Sequence, residues 1–388
     1  MSNRLTCDVV VVGAGMVGAA CAFYATRSGL RVTVVDRGPV AGGTTGAGEG
    51  NLLVSDKEPG PELQLALYSG RLWKDVAGEP GLAEAIEFEP KGGLMVVSDP
   101  DGMRALETFA AGQRARGVEA LPVAADALHE LEPHLAKGLG GGMYYPQDCQ
   151  VMPTLAAAHL IRRSGAELRT ACSVTGVLRG ADGRLTGVRT DGGDIHAPAV
   201  VNATGTWGGE FAALAGVNLP VLPRRGFVLV TEPLPAGTVR HKVYDADYVA
   251  DVASDSAALQ SSAVVESTAA GPVLIGATRE RVGFDRTFSL PAARILAAQA
   301  TALFPVLEKA RAIRGYLGFR PYLPDHLPAI GPDPRLPGLH HACGHEGAGI
   351  GLSLGTGLLI AQSLTGATPD LDLHPFRPDR FPAEERQR

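Results

Sequence analysis

The sequence predicts a chain of mixed class, α/β at its start and α+β elsewhere. Three observations support this. The chain opens on an apolar run, a glycine turn, a helical pattern and a second apolar run, which is the order of a β-α-β unit with parallel strands. Residues 221–278 carry several short strand-like segments, typical of a separate, inserted sheet. The 388 residues exceed one typical domain, so two are expected.

The opening residues have the features of a Rossmann-type dinucleotide-binding unit. Asp8–Val12 is a β-branched run, typical of a strand buried on both faces of a parallel sheet. Gly13 allows a sharp turn, Gly15 lets the backbone approach a pyrophosphate, and Gly18 lets the helix pack close to the strand. A second strand then ends at Asp36, where a carboxylate can bind the ribose of an adenosine.

This unit predicts a dinucleotide, held at the helix N-terminus by backbone amides and the helix dipole. Asp36 would repel a ribose phosphate, which disfavours NADP. A Rossmann-type unit that binds no nucleotide is the alternative interpretation. The next segment, residues 39–53, is rich in Gly and Thr, so its amides and hydroxyls could surround a phosphate or a flavin edge. It could also be a flexible surface loop.

Composition narrows the class of protein further. The net charge is −6 without a basic block, which argues against nucleic acid as the main partner. The five cysteines are scattered and the ten histidines lack metal-ligand spacing, so we expect reduced thiols, no metal site and a cytoplasmic location. Residues 347–364 are uncharged but rich in glycine, which favours a buried helix over a membrane span.

Periodicity predicts the other elements. Helices are expected at residues 62–77, 101–116, 154–164 and 292–304. Strands are expected at residues 94–98, 172–179, 185–190, 227–231, 241–251, 263–267 and 272–277.

Four ordered blocks resemble the D-amino acid oxidase family of FAD-dependent enzymes, which includes glycine oxidase and sarcosine oxidase. The blocks are the opening unit with Asp36, the loop 42–53, the segment VVNATGTW at 200–207, and GFRP at 318–321 followed by D-x-x-P-x-I-G and GHEG up to residue 347. Residues 48–60 and GHEG are most similar to a bacterial subgroup. It includes the β subunits of opine oxidases and D-hydroxyproline dehydrogenases and the glycine-oxidising subunit of hydrogen cyanide synthase.

The resemblance implies FAD in place of NAD, and two interleaved domains. Residues 1–70, 147–218 and 312–388 would form the FAD domain, and residues 71–146 and 219–311 a substrate domain on a large mixed or antiparallel sheet. Some relatives attach flavin to a cysteine near position 320, and this sequence has none there, so non-covalent FAD is expected. The implied cofactor residues are Gly13, Gly15, Met16, Val17, Gly18, Asp36, Arg37, Thr44, Thr45, Gly48, Gly50, Asn51, Leu52, Val174, Ala203, Thr204, Gly205, Trp207, Gly344, His345, Glu346, Gly347, Gly349 and Ile350.

The chemistry implied by the resemblance is hydride transfer from an amine-bearing carbon of an amino or imino acid to flavin. The resulting imine hydrolyses. Arg320 stands where relatives bind the substrate carboxylate, and a planar guanidinium suits a bidentate carboxylate. A structural or surface arginine is the alternative. If Arg320 binds the substrate carboxylate, its loss should weaken the free energy of substrate binding by on the order of 2–5 kcal/mol.

Four more residues are candidates for the catalytic site. Tyr244 and Tyr248 could close the substrate pocket or pack in the core, and Glu49 could approach the flavin or be solvated. His345 could line the site or cap a helix, and the glycine-rich turn around it could aim a helix N-terminus at the flavin.

Two other functions remain open at this stage. The chain could be the flavoprotein subunit of a heteromeric dehydrogenase that is inactive alone, or an NAD-dependent dehydrogenase, although the later blocks have no place in a nicotinamide enzyme. The sequence does not distinguish O2 from another electron acceptor. The substrate is a small carboxylated amine of open identity.

Overall fold

The computed structural model describes residues 7–246, 248–249 and 254–381. Its strands are β1 Val9–Val12, β2 Val32–Val35, β3 Asn51–Leu52, β4 Gly93–Val97, β5 Leu121–Val123, β6 Gly141–Tyr145, β7 Cys149–Gln150, β8 Glu167–Arg169, β9 Val174–Arg179, β10 Leu185–Thr190, β11 Gly193–His196, β12 Ala199–Asn202, β13 Leu222–Pro233, β14 Lys242–Asp245, β15 Gln260–Ser267, β16 Pro272–Arg279, β17 Ala312–Tyr322, β18 Ala329–Pro332 and β19 Leu339–Cys343.

The α-helices with bounds in the described residues are α1 Met16–Arg27, α2 Pro61–Ala77, α3 Leu82–Ala85, α4 Pro100–Arg114, α5 Leu128–Leu131, α6 Pro153–Ser164, α7 Gly208–Leu214, α8 Leu290–Leu303 and α9 Ser353–Thr365. Every helix that periodicity predicted is present, with ends that differ by one or two residues. The predicted strand 241–251 is shorter, since β14 ends at Asp245. Residues 247, 250 and 251 of that segment lie outside the described part.

A six-stranded sheet in the order β18-β19-β12-β1-β2-β8 forms the first half of the molecule. Its β1 pairs in parallel with β2 and with β12, and nearly all residues of these three apolar strands are buried, as expected in the middle of a parallel sheet. Helix α1 packs on this sheet and against α6 and α9. The expected Rossmann-type unit is therefore present, with the carboxyl ends of β1, β2 and β12 at one edge.

The second half is an eight-stranded mixed sheet in the order β17-β13-β16-β15-β14-β4-β6-β5. Only β14 and β4 pair in parallel among its described strands. Strand β17, which the predicted division places in the FAD domain, pairs with β13 from Leu222–Tyr322 to Thr231–Ala312. The predicted division at residue 70 falls inside α2. The six-stranded sheet draws only on segments assigned to the FAD domain, and the rest of the division stays a prediction.

The uncharged segment near the C-terminus forms the buried helix α9, 13 residues long. It lies close to α1, since a Cβ on Gly357 would come within 2.5 Å of the Ala20 carbonyl carbon. In the described residues, no helix has both the length and the apolar character needed to cross a bilayer.

Candidate cofactor and substrate site

A single cavity of about 310 Å³ connects the glycine turn after β1 with Arg320 on β17. It therefore touches both sheets. Most of the predicted site residues line it: Gly13, Gly15, Met16, Val17, Asp36, Arg37, Thr44, Thr45, Gly48, Glu49, Gly50, Asn51, Val174, Ala203, Thr204, Gly205, Trp207, Tyr248, Arg320, His345, Glu346, Gly347, Gly349 and Ile350. The predicted residues Gly18, Leu52, Tyr244 and Gly344 are not part of its lining.

The glycine turn has no room for side chains. Gly13 has a φ of +113°, and a Cβ there would come within 2.3 Å of the Ala203 carbonyl oxygen. A Cβ on Gly18 would lie 1.9 Å from the Gly13 carbonyl oxygen. Gly18 therefore lets α1 pack closely against the turn, and it faces the turn and not the cavity. The sequence therefore produces a backbone-walled edge at the start of α1.

The Gly/Thr-rich loop is tied to this edge and to the other sheet. The Met16 amide donates to Thr45 Oγ1 at 2.9 Å, and Thr44 Oγ1 donates to the Phe319 carbonyl at 2.7 Å. Asp36 lines the cavity beside the turn while accepting from the amides of Ala14 and Gly38, each at 2.7 Å. The loop is thus an ordered wall of the cavity.

An aromatic stack borders the nucleotide end of the cavity. The Arg37 guanidinium lies 4.2 Å from the Trp207 ring centroid, and the Phe284 ring stacks on Trp207 with 2° between planes. A guanidinium over an indole is a favourable cation–π contact. It places a positive charge near the turn.

Arg320 lies at the opposite end of the cavity. Its Nη1 donates to the Thr278 carbonyl at 2.7 Å, across the intervening strand β13. The Arg320 side chain can cross β13 only because residue 226 is glycine, since a Cβ there would come within 2.2 Å of Arg320 Nη1. Burial and the nearby Arg279 charge lower the pKa of Arg320, and the charge of Glu49 opposes them.

Glu49 is 9% exposed and shares the cavity with Arg320. Its Oε2 accepts from Asn51 Nδ2 at 3.4 Å, and its buried Oε1 has no hydrogen-bond partner among the described residues. A Cβ on Gly276 would lie 2.1 Å from that Oε1, so the carboxylate packs on the backbone of β16. A buried, unsatisfied carboxylate oxygen is costly unless a ligand donates to it.

A buried ion pair stabilises the turn before α9. Arg224 Nη1 donates to Glu346 Oε1, and Glu346 Oε2 lies 3.0 Å from His326 Nδ1. Glu346 has a φ of +47°, so its backbone is held in a conformation unusual for a non-glycine residue. Burial raises the pKa of Glu346, but the His326 hydrogen bond and the Arg224 charge more than reverse this, and the pKa is lowered.

His345 is 3% exposed, and its Nε2 lies 2.9 Å from Thr356 Oγ1 on α9. Burial lowers the pKa of His345 to about 3, so the ring is neutral at ordinary pH. It lines the cavity as a neutral, fixed group and bonds to the helix next to it.

Tyr244 and Tyr248 lie in different surroundings. Tyr248 lines the cavity, whereas Tyr244 is fully buried and donates to Ser55 Oγ. Of the two alternatives left open for these tyrosines, burial favours core packing for Tyr244, whereas Tyr248, beyond the end of β14, lies at the cavity. The two rings still touch edge to face, with centroids 5.3 Å apart.

Several cavity residues have no motif of their own. Gly226, Val228 and Cys343 lie outside the four blocks and line the cavity from β13 and β19, whereas Gly318 and Phe319 belong to the GFRP block on β17. Glycines inside strands are a usable signal, because they mark a close approach of a ligand or another backbone. A Cβ on Gly318 would come within 2.6 Å of Ala47 Cβ, which is such an approach.

The geometry defines a class of protein: an enzyme that holds a dinucleotide along a glycine-walled groove and presents a charged pocket at its far end. The chain matches the model of the DAO family, described as FAD dependent oxidoreductase, over residues 8–363. It therefore belongs to the DAO family of FAD-dependent oxidoreductases, and the predicted family, fold and FAD cofactor are confirmed.

The similarity to known proteins extends over the whole chain. This chain is 30% identical to hydrogen cyanide synthase subunit HcnC of Pseudomonas aeruginosa, in an alignment that covers 98% of each chain. It is 30% identical to glycine oxidase of Pseudomonas putida, covering 96% of this chain and 98% of the relative. The crystal structure of glycine oxidase from Geobacillus kaustophilus superposes with a TM-score of 0.87 at 29% identity, covering 98% of this chain and 100% of that one.

Proposed function

We propose that the protein oxidises an amino or imino acid by transferring a hydride from its amine-bearing carbon to FAD, and that the imine product hydrolyses. The main observation behind this proposal concerns Arg320. Its guanidinium reaches the cavity and has no carboxylate at ion-pair distance among the described residues. The names of the relatives support an amine donor, since they include glycine oxidase and sarcosine dehydrogenase.

The lining of the cavity suits FAD. The Gly13–Gly15 turn and the N-terminus of α1 would hold the diphosphate, because the backbone is bare there. Asp36 would bind the adenosine ribose, and the turn around Gly347 would face the flavin. When bound, FAD supplies the hydride acceptor. Burial raises the pKa of Cys343 to about 12, so this cavity thiol stays protonated and unreactive, which supports non-covalent attachment.

The protein's own side chains would bind and orient the substrate. Arg320 would bind the substrate carboxylate in a fork, with its position set by the Thr278 carbonyl. The unsatisfied Oε1 of Glu49 would accept a hydrogen bond from the substrate amine. Neutral His345 would hold the turn against α9 and add no charge to the pocket.

The experiment is an anaerobic titration of the flavinated protein with carboxylated amines, followed by loss of the visible flavin band. Bleaching is expected with at least one of them. Arg320→Ala should weaken the apparent affinity on the order of 100-fold, Arg320→Lys should lose less, and Arg104→Met, at an exposed helical position, should change nothing. An intact flavin band with every amine, or unchanged affinity in Arg320→Ala, would contradict the proposal.

A second candidate is a subunit role. One relative is named as a subunit of hydrogen cyanide synthase, so this chain could require a partner chain for turnover. Purification of the tagged protein from its own cells, with activity measured before and after removal of any co-purifying chain, separates the two cases. The electron acceptor, O2 or another, would be identified by the same assay. A cytoplasmic location stays a prediction.

A further inference from the structure

A chain of hydrogen bonds leads from the cavity to a buried lysine on β14. Glu49 and Asn51 both line the cavity, and Asn51 Nδ2 donates to Glu49 Oε2 at 3.4 Å. Lys242 Nζ donates to Asn51 Oδ1 and, at 3.3 Å, to Glu266 Oε2 on β15. Lys242 is 3% exposed and is not part of the cavity lining, so it acts on the cavity through Asn51.

Lys242 determines which way the Asn51 amide faces. An ammonium group only donates hydrogen bonds, so it must face the Asn51 oxygen, and the Asn51 NH2 group is left to donate to Glu49. This occupies Glu49 Oε2 and leaves the buried Oε1 without a partner among the described residues. An acceptor at that depth is costly unless a ligand donates to it.

The charges that face Glu49 come from three strands. Lys242 on β14 and Arg320 on β17 are positive, and Glu266 on β15 is negative. Burial lowers the pKa of Lys242, but the charges of Glu266 and Glu49 more than reverse this, and the pKa is raised. Burial raises the pKa of Tyr316, so this further neighbour on β17 is neutral, and β16 presents its backbone. The two cations stabilise the Glu49 carboxylate as an anion, and Lys242 does so from outside the ligand space.

The proposed reaction needs a group that takes a proton from the substrate. An amino acid arrives with its amine protonated, and an ammonium nitrogen has no free electron pair. Loss of hydride from the neighbouring carbon requires that pair, because it forms the C=N bond of the imine. The proton must therefore move to an ionised acceptor within hydrogen-bond reach of the nitrogen.

Glu49 is the carboxylate of the described cavity lining that can act as this acceptor. The lining includes three others. Asp36 and Glu346 each have both oxygens in hydrogen bonds, and Glu210 is exposed to solvent. Burial lowers the pKa of His345 to about 3, which makes its ring a poor proton acceptor.

We propose that Glu49 accepts the ammonium proton of the bound substrate, and that Lys242, acting through Asn51, is the positioning residue that keeps this carboxylate oriented and ionised. An N–H bond of the substrate breaks, and an O–H bond forms at Glu49 Oε1. The electron pair left on nitrogen forms the C=N bond, and the C–H electron pair leaves as hydride to FAD, the oxidant, so the product is a protonated imine. This rests on the proposed function, because it adds a catalytic residue to the same reaction.

The test is the pH dependence of anaerobic flavin reduction. Glycine, sarcosine and both enantiomers of proline are compared from about pH 5 to about pH 10, and kred/Kd is followed for the fastest of them. In the unaltered protein, kred/Kd should be nearly constant below the pKa of the substrate amine and fall only at the acid end, where Glu49 is protonated before the substrate arrives. In Glu49→Gln only the neutral amine reacts, so kred/Kd should rise about tenfold per pH unit and approach the value of the unaltered protein above the amine pKa.

Methoxyacetate shows whether the pocket of Glu49→Gln is intact, since this ligand has an ether oxygen in place of the amine and brings no proton. Its affinity, read from the shift of the flavin spectrum, should be no weaker in the variant than in the unaltered protein. A ratio of kred/Kd between the two proteins that stays constant with pH would overturn the role of Glu49 and leave amine oxidation intact. Absence of flavin reduction with every amine at every pH would contradict the proposed function as well.

Two variants test the positioning role. Lys242→Met removes the ammonium group, and Asn51→Leu breaks the connection while Lys242 keeps Glu266 as its partner, which covers the case in which the first variant folds poorly. Both should move the acid fall of kred/Kd to higher pH by about one unit or more, because the buried carboxylate is then harder to ionise. Lys91→Met is the matched control, since Lys91 pairs with Glu89 at 3.2 Å outside the cavity, and the fall should stay in place. An acid fall that moves in neither variant would overturn the role of Lys242.

Discussion

The two ends of the cavity are built in different ways. The nucleotide end is built around backbone and glycines of the first 50 residues, and a Cβ added at Gly13 would collide with the Ala203 carbonyl oxygen at 2.3 Å. The substrate end is formed by the charged side chains of Arg320 on β17, Glu49 and Glu346, which lie far apart in the sequence and are brought together by the tertiary fold. Binding at the nucleotide end depends on the shape of the backbone, and binding at the substrate end depends on the balance of charges. Substitutions at the two ends should therefore have different effects.

The largest effect is expected at the nucleotide end. Gly13→Ala should abolish FAD retention and destabilise the fold by roughly 3 kcal/mol or more, because it combines a φ of +113° with a collision against Ala203. The flavin content of purified protein and its urea midpoint measure this.

The control for Gly13→Ala is Gly70→Ala, inside α2, where a Cβ meets nothing within 4 Å. It should stabilise the protein by about 0.5–1 kcal/mol and keep FAD. Full flavin content in Gly13→Ala would show that the turn tolerates a side chain, against the account of this end.

At the substrate end, the buried pair gives the next largest effect. Arg224→Met should lower the free energy of unfolding by about 3–5 kcal/mol, because it leaves the buried carboxylate of Glu346 without its guanidinium. Arg189→Met removes an exposed pair with Asp194 and should cost at most about 0.5 kcal/mol. Chemical denaturation measures both, and similar values for the two would mean that burial does not set the strength of these pairs.

Gly226→Ala should separate substrate binding from cofactor binding. The added Cβ would come within 2.2 Å of Arg320 Nη1 and 2.5 Å of the Thr278 carbonyl oxygen, so it should displace the guanidinium and raise KM about 10- to 100-fold. FAD content should stay normal. Gly176→Ala in β9, where a Cβ meets nothing within 4 Å, should leave KM unchanged. A KM unaltered by Gly226→Ala would remove the steric argument for Arg320.

The smallest effect is a pH dependence of stability from His326. The Glu346 hydrogen bond raises the pKa of His326 above 6.5, against the opposing effect of burial. Its stabilisation is therefore fully present below about pH 6.5 and is lost as the pH rises through the raised folded pKa. Because the ring is partly solvated, less than about 1 kcal/mol is expected. The difference in urea midpoint between His326→Gln and the parent should shrink from about pH 6 to about pH 9. A difference in urea midpoint that stays the same from about pH 6 to about pH 9 would refute this role of His326.

Sequence reasoning succeeded where function depends on consecutive residues. The strand, three glycines, helix and Asp36 define their own backbone path, and the Asn202–Trp207 and Gly344–Gly347 blocks mark the cavity for the same reason. It failed where partners are distant. The carboxylate that pairs with Arg224 lies 122 positions away, and β17 pairs with β13, a strand that the predicted division places in the other domain. Arg279 and Gly226 carried no signal beyond their residue type.

The sequence by itself determined the nucleotide fold, because spacing along a chain dictates local turns and which residues can meet a phosphate. Its resemblance to a known family indicated FAD and pointed to Arg320. Only the tertiary structure decided which charged side chains have an ion-pair partner among the described residues. Pairing depends on the register of β13, β16 and β17 and on burial, which no local pattern encodes. That is why Arg224 is neutralised by Glu346, while Arg279 and Arg320 have no carboxylate partner among the residues that the structure describes.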